Sequence, residues 1–248
     1  MEAWELLLAF GAAFVAGYLG SMLGLVLGTL RLPFIVLASG SPIAAAGTNI
    51  GISAAAAGAG ALRHIREARV DWRVVSWIAF PSVLGAVIGA IVADDVSESL
   101  LYGAIGAVLL WSGVDLALRP IAARPRQRLR LARGVGLSFG IGVLGGAVGV
   151  ILGTLRMPTL IRSVGMDIRR AAGTNLTVGF FLGVAGFATH AFEQGVDWAI
   201  LAAGLAGSIP GGWLGARATG RVPENTLRIA LGAVLVIVGI AFALQAMF

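Results

Sequence analysis

GTLRLP occupies residues 28–33 and GTLRMP residues 153–158. Each places one arginine, Arg31 or Arg156, inside a long apolar stretch. A guanidinium keeps its proton in a protein, and an isolated one at the centre of a bilayer costs at least about 2.5 kcal/mol. The same costly choice in the same six-residue frame points to a duplicated unit with a use for the charge.

Self-comparison extends the duplication outward. At an offset of 125, Gly11, Phe14, Gly17, Leu19, Gly20, Gly24 and Leu27 recur as Gly136, Phe139, Gly142, Leu144, Gly145, Gly149 and Leu152, leading into the two GTLR motifs. At an offset of 126, AGTN (46–49) recurs at 172–175, His64 as His190, and VDW (70–72) at 196–198. Gly85 and Gly89 recur as Gly211 and Gly215. The expected organisation is repeat one at 1–118, a linker at 119–133 and repeat two at 134–248, together forming one transmembrane transporter domain. The linker RPIAARPRQRLRLAR carries six arginines and two prolines.

The composition sets the solvent. Hydrophobic residues make up 58% of the chain and charged residues 12%, against about 25% charged in a typical soluble domain. So much apolar surface requires lipid around it. All 18 basic residues are arginines, and the net charge is +6. They fall in short loops between apolar blocks, where they read as inner-leaflet anchors rather than a nucleic-acid surface. The absence of cysteine excludes disulfides and zinc-thiolate sites. No metal-ligand cluster or nucleotide-phosphate loop is present, and no cofactor is expected. MEAWELLLAF at the start is acidic, without the basic n-region of a signal peptide, and is read as part of the mature chain.

Each repeat holds four apolar blocks, near 4–40, 42–63, 73–93 and 99–118, then 134–165, 168–190, 198–216 and 225–247. The later three in each are about one bilayer crossing long. The first is longer and interrupted by the GTLR-x-P motif, whose proline disfavours continuous helix. It is expected to form a hairpin, or a full helix plus a half helix. The fold class expected is an all-α integral membrane protein of 8–10 helical segments.

Loop charges give orientation. Loop 61–73 holds Arg63, Arg66, Arg69 and Arg73 against Glu67 and Asp71; its counterpart, 187–199, holds only Glu193 and Asp197. Loop 93–99 holds Asp94, Asp95 and Glu98; its counterpart holds Arg217, Arg221 and Arg228 against Glu224. The basic side switches between repeats, so the repeats are expected to be inverted. The linker then lies in the cytoplasm and both termini outside it, in a multi-pass protein of the inner (plasma) membrane.

Inverted repeats with broken helices are the plan of secondary transporters, whose substrates bind near the midplane. Two breaks per repeat are expected. One is at Gly28 and Pro33, or Gly153 and Pro158; the other is within AGTN, at Gly47 or Gly173. Facing breaks would gather Arg31, Thr29, Thr48 and Asn49 with Arg156, Thr154, Thr174 and Asn175. Two fixed positive charges, four hydroxyls and two amides suit a small oxyanion, since guanidinium forks match carboxylate or sulfonate geometry with paired hydrogen bonds.

These residues resemble the TauE/SafE family of sulfite and organosulfonate exporters, the sulfonate permease family. The carriers of the resemblance are GYLGSMLGLVLGTLRLP, GSPIAAAGTNIGISAAAAGAGALRH, the VDW opening the next helix, and GAVIGA and GGWLGA within it. The family usually has glycines and apolar residues before the proline; threonine and arginine stand there in this chain, twice. The resemblance implies an inner-membrane exporter of sulfite, sulfoacetate or related anions, working by alternating access with the anion between Arg31 and Arg156. An anion channel, or an uptake permease for small carboxylates, is the alternative.

His64 and His190 are candidate gating or coupling residues, against a simpler role at helix ends. Asp115 could bind a coupling cation or pair with Arg119 at i+4. Gly85-x-x-x-Gly89 and Gly211-x-x-x-Gly215 read as close helix packing. GLSFG (136–140) fits Gly-x-Ser-x-Gly, and His190 would serve Ser138 as base in an intramembrane serine protease. That motif needs a strand-to-helix elbow, whereas Ser138 lies in an apolar helix. The expected partners are the small anion, the lipid bilayer and no nucleic acid; homo-oligomerisation is left open.

Overall fold

The computed structural model describes residues 3–39, 42–91, 98–118, 131–148, 151–193 and 196–247. The described residues are mostly helical, with short turns between the helices and no strand among them. Residues 119–130 of the linker lie outside the described residues, and its last three, Leu131–Arg133, begin a helix. Among the described residues, four helical stretches are long and apolar enough to cross a membrane: Ala3–Leu23, Ile168–Ala188, Trp198–Thr219 and Asn225–Gln245. Large apolar side chains such as Trp111 and Phe80, each 73% exposed, face outward, while Arg31 and Arg156 are buried. Apolar outside and polar inside is the pattern of a chain surrounded by lipid.

The chain divides into two compact units. The first comprises Met1–Val70 and Ala172–Arg221. It contains α1 (Ala3–Leu23), α2 (Gly28–Ser39), α3 (Pro42–Arg66), most of α8 (Ile168–Glu193) and α9 (Trp198–Thr219). The second comprises Asp71–Ala171 and Val222–Phe248. It contains α4 (Trp72–Ile91), α5 (Glu98–Leu118), α6 (Leu131–Val148), α7 (Gly153–Pro158), a π-helical turn (Thr159–Val164) and α10 (Glu224–Gln245). Each unit therefore draws helices from both 1–118 and 134–248.

Within the first unit, α1 and α9 run parallel in close contact. A side chain at Gly207, Gly211 or Gly215 would run into the backbone carbonyl of Phe10, Phe14 or Tyr18 respectively. Glycine every fourth residue lets two backbones approach along a shared stripe. The second unit repeats the arrangement with α4 and α6. Gly85 faces the Phe139 carbonyl and Gly142 the Ser82 carbonyl, the repeat counterparts of Gly211 with Phe14 and Gly17 with Ser208. Of the two GxxxG spacings, Gly89 is the one whose surroundings lie outside the described residues.

The second unit also holds a reciprocal pair. A Cβ on Gly113 would lie 2.8 Å from the Gly232 carbonyl oxygen, and one on Gly232 would lie 2.8 Å from that of Gly113. Gly106 meets the Gly239 carbonyl in the same way. Gly232 and Gly239 are Gly106 and Gly113 shifted by 126, so each glycine meets the counterpart of the other. As residue numbers rise along α5 they fall along α10, so the two counterpart helices are antiparallel.

The first apolar block resolves into a full helix and a half helix. α1 ends at Leu23, residues 24–27 are non-helical, and α2 follows with 12 residues, about 18 Å at 1.5 Å per residue. The break precedes the GTLRLP motif instead of lying within it. Gly24 takes φ of +73°, which ordinary residues avoid, and the Leu25 amide closes the turn on the Gly20 carbonyl at 2.7 Å. Gly28 opens α2, and Pro33 lies in its second turn without ending the helix. In the second block, Pro158 ends α7 and the π-helical turn follows. Gly165, at φ of +93°, closes that turn, and the Gly165 and Met166 amides both donate to the Leu160 carbonyl.

The AGTN motifs are not breaks. α3 and α8 run unbroken through Gly47 and Gly173. One glycine costs a helix only about 1 kcal/mol, and the packing of a long buried helix outweighs that.

Candidate functional site

Arg31 lies in the first turn of α2 and is 2% exposed. Its Nε donates to Asn49 Oδ1 at 2.9 Å. Its Nη2 donates to the Asn49 carbonyl oxygen at 3.0 Å and to Ser53 Oγ at 2.8 Å. Asn49 in turn donates from Nδ2 to the Gly28 carbonyl oxygen at 3.0 Å. The first GTLR motif and the first AGTN motif therefore meet side by side, joined by Asn49. Gly28 permits the approach: a Cβ there would sit 2.6 Å from Ser53 Oγ and 3.3 Å from Asn49 Nδ2.

Every one of these acceptors is neutral. A buried guanidinium held by an amide, a carbonyl and a hydroxyl has its geometry satisfied and its charge uncompensated. The opening turn of α2 adds the positive end of a helix dipole at the same place.

Asn175, in α8, is fully buried and donates from Nδ2 to the Gly24 carbonyl oxygen at 2.6 Å. A side chain on Gly24 would collide with Ala172. The second AGTN motif thus holds the α1–α2 break, and the first holds the start of α2. Thr48 is turned elsewhere: its Oγ1 accepts the Asp197 amide at 2.9 Å, at the residue that caps α9 through the Ala199 and Ile200 amides. Thr174 is buried in α8. The surroundings of the Thr29, Pro33 and His190 side chains lie outside the described residues.

Arg156 and Thr154, both buried, lie in α7 of the second unit. Gly153 and Pro158 bound that short helix, buried like the residues between them. His64 is buried near the C-terminal end of α3, with Nε2 3.4 Å from the Ser21 carbonyl oxygen of α1. Asp115 pairs with Arg162, whose Nε lies 2.8 Å from Asp115 Oδ2 and whose Nη2 donates to the Asp115 carbonyl. Arg119 lies outside the described residues. Ser138 is buried within α6, a helix interior that offers a nucleophile no strand-to-helix elbow. Among the described residues no group of three or more His, Cys, Asp or Glu could hold a metal.

Ser53 is the site residue that the sequence motifs miss. It sits in the alanine-rich ISAAAAGAGAL without a motif of its own. The signal that finds it is helical spacing, since residue 53 is one turn beyond Asn49 on the same face.

The family model described as sulfite exporter TauE/SafE matches residues 9–242. A Bacillus subtilis (strain 168) protein named "Probable membrane transporter protein YdhB" is 25% identical, covering 91% of this chain and 94% of that protein. "Probable membrane transporter protein YunE" of the same organism is 23% identical over 94% of this chain and 96% of its own length. "Probable membrane transporter protein ORF9" of Sinorhizobium sp is 27% identical over 95% and 90%. No solved structure matches the chain. These relatives are named as membrane transporters, not enzymes. With a family match spanning nearly its whole length and several helices able to cross a bilayer, this multi-pass membrane protein belongs to the sulfite exporter TauE/SafE family.

Proposed function

We propose that the chain is a secondary transporter that exports small sulfur oxyanions or organosulfonates, such as sulfite or sulfoacetate, across the inner membrane by alternating access. Arg31 and its repeat counterpart Arg156 are the charge-bearing residues of the anion pathway. The observation that carries the reading is Arg31, a buried guanidinium whose partners are all neutral. A permanent charge in a bilayer needs an anion or water to meet it, and this one stands at a helix break beside a half-helix terminus.

The antiparallel pairing of the counterpart helices α5 and α10 supports inverted repeats at 1–118 and 134–248, joined by a cytoplasmic linker with both termini outside. The family supports sulfur anions as cargo. Asn175 on the Gly24 carbonyl supports the α1–α2 break as a built part of the site.

Proteoliposomes loaded with sulfite test the reading. A transporter gives saturable flux and counterflow. Unsaturated, ohmic anion current would replace it with a channel, and flux of short carboxylates without sulfite would replace the cargo.

A further inference from the structure

Arg63 and Arg66 lie one turn apart at the C-terminal end of α3, and both guanidiniums stand over a single indole, that of Trp213 in α9. Their Cζ atoms are 5.4 Å and 4.9 Å from its ring centre. Arg63 is also held by Glu67, with Nη2 2.6 Å from Oε1, and the same carboxylate pairs with Arg69. Arg217 follows Trp213 by one helical turn, on the same face of α9. Arg66 and Arg217 are both exposed, and neither has a carboxylate partner among the described residues. An indole attracts a guanidinium but offers its N–H groups no lone pair. Arg66 is thus positioned by Trp213 with its donors open.

The surface beside this cluster is apolar. Leu62 and Ile65 of α3 and Ile209 and Leu214 of α9 are exposed, and in a membrane-spanning chain such side chains face lipid. Open arginines at the ends of lipid-facing helices fit a phospholipid, with its phosphate on the guanidiniums and its acyl chains along the apolar side chains. A phosphodiester presents two anionic oxygens to a guanidinium fork. A choline headgroup would bring a positive charge of its own against the arginines, so a net negative lipid is favoured. We propose that Arg63, Arg66, Trp213 and Arg217 form a binding site for the headgroup of an anionic phospholipid at the C-terminal ends of α3 and α9.

The cluster is not duplicated. The positions 126 residues after Arg63 and Arg66 are Thr189 and Phe192, and those 126 residues before Trp213 and Arg217 are Val87 and Ile91. Arg31 and Asn49 recur as Arg156 and Asn175, as a pathway built on both repeats requires. The arginines over Trp213 belong to one end of one unit, which separates them from the proposed anion pathway and suits a ligand drawn from one leaflet.

Competition between phosphatidylglycerol and phosphatidylcholine for the purified full-length protein in neutral detergent, read by native mass spectrometry with thermal melts alongside, tests this. The wild type is expected to prefer phosphatidylglycerol. Arg66→Gln and Arg217→Gln are each expected to lower that preference about fivefold, the worth of one basic residue at an anionic surface, and the double variant to lower it further than either alone. Arg73→Gln removes an exposed arginine at the start of α4, outside the cluster, and is expected to leave the preference unchanged. Glycerol 3-phosphate, which carries the phosphate without acyl chains, is expected not to displace the lipid at equal concentration. No preference in the wild type, an unchanged preference in the folded double variant, or an equal loss in Arg73→Gln overturns the site; should the double variant not fold, the single variants decide. Displacement by glycerol 3-phosphate overturns a lipid as the ligand.

Discussion

Gly113 and Gly232 face each other across α5 and α10, each with the space for its Cβ occupied at 2.8 Å by the other's carbonyl oxygen. A methyl in either space forces the two backbones apart, so Gly113→Ala and Gly232→Ala are each expected to lower stability by about 1–3 kcal/mol. Melting of the purified variants checks it, and wild-type stability in both would contradict the helix crossing.

The antiparallel course of α5 and α10 bears on topology. With the linker in the cytoplasm, Gln127→Cys is expected to react with an impermeant maleimide only after the membrane is opened. Ser97→Cys, which precedes α5 in the sequence, is expected to react from outside in intact cells. Labelling of both from the same side would end the inverted arrangement.

The glycines divide by what surrounds them. A methyl on Gly215 meets the Tyr18 carbonyl, whereas one on Gly11 meets nothing within 4 Å. Gly215→Ala is expected to lower stability by about 1–3 kcal/mol through overpacking at the α1–α9 contact. Gly11→Ala is expected to raise it by about 0.5–1 kcal/mol, because alanine is the better helix former. Melting temperatures of the purified variants in one detergent check both signs.

Asp115 and Arg162 form a partly exposed ion pair, with side chains 19% and 30% exposed. Such pairs are worth little, and a double-mutant cycle is expected to give a coupling of about 0.5–1 kcal/mol. Asp115→Asn is expected to leave transport close to wild type. Loss of cation- or proton-driven flux in Asp115→Asn would make it a coupling residue instead.

The packing of the helices was largely legible in the sequence, because repeated glycines are themselves the contact. Gly85 and Gly211 carry the same offset in the sequence and meet the counterpart carbonyls of Phe139 and Phe14. The full helix plus half helix was also legible, but its break was read one motif too late. Proline and arginine draw attention to 31–33, whereas a left-handed glycine at 24 does the work of stopping α1. The AGTN motifs were read as breaks because glycine and asparagine disfavour helix locally. In α3 and α8 the asparagine side chain bonds the broken backbone of a neighbouring segment while its own helix continues. The convergence of Arg31 and Asn49 was anticipated from their motifs. The occupation of its Nε and Nη2 by Asn49 and Ser53 was not, since it depends on which guanidinium hydrogens the neighbouring helix takes.

The most direct test of the account is the titration of sulfite into wild-type and Arg31→Gln protein under identical conditions. Saturable binding by the wild type, weakened about 100-fold or lost in the variant with its melting profile retained, is the predicted result. Equal sulfite affinity in the two proteins would contradict it.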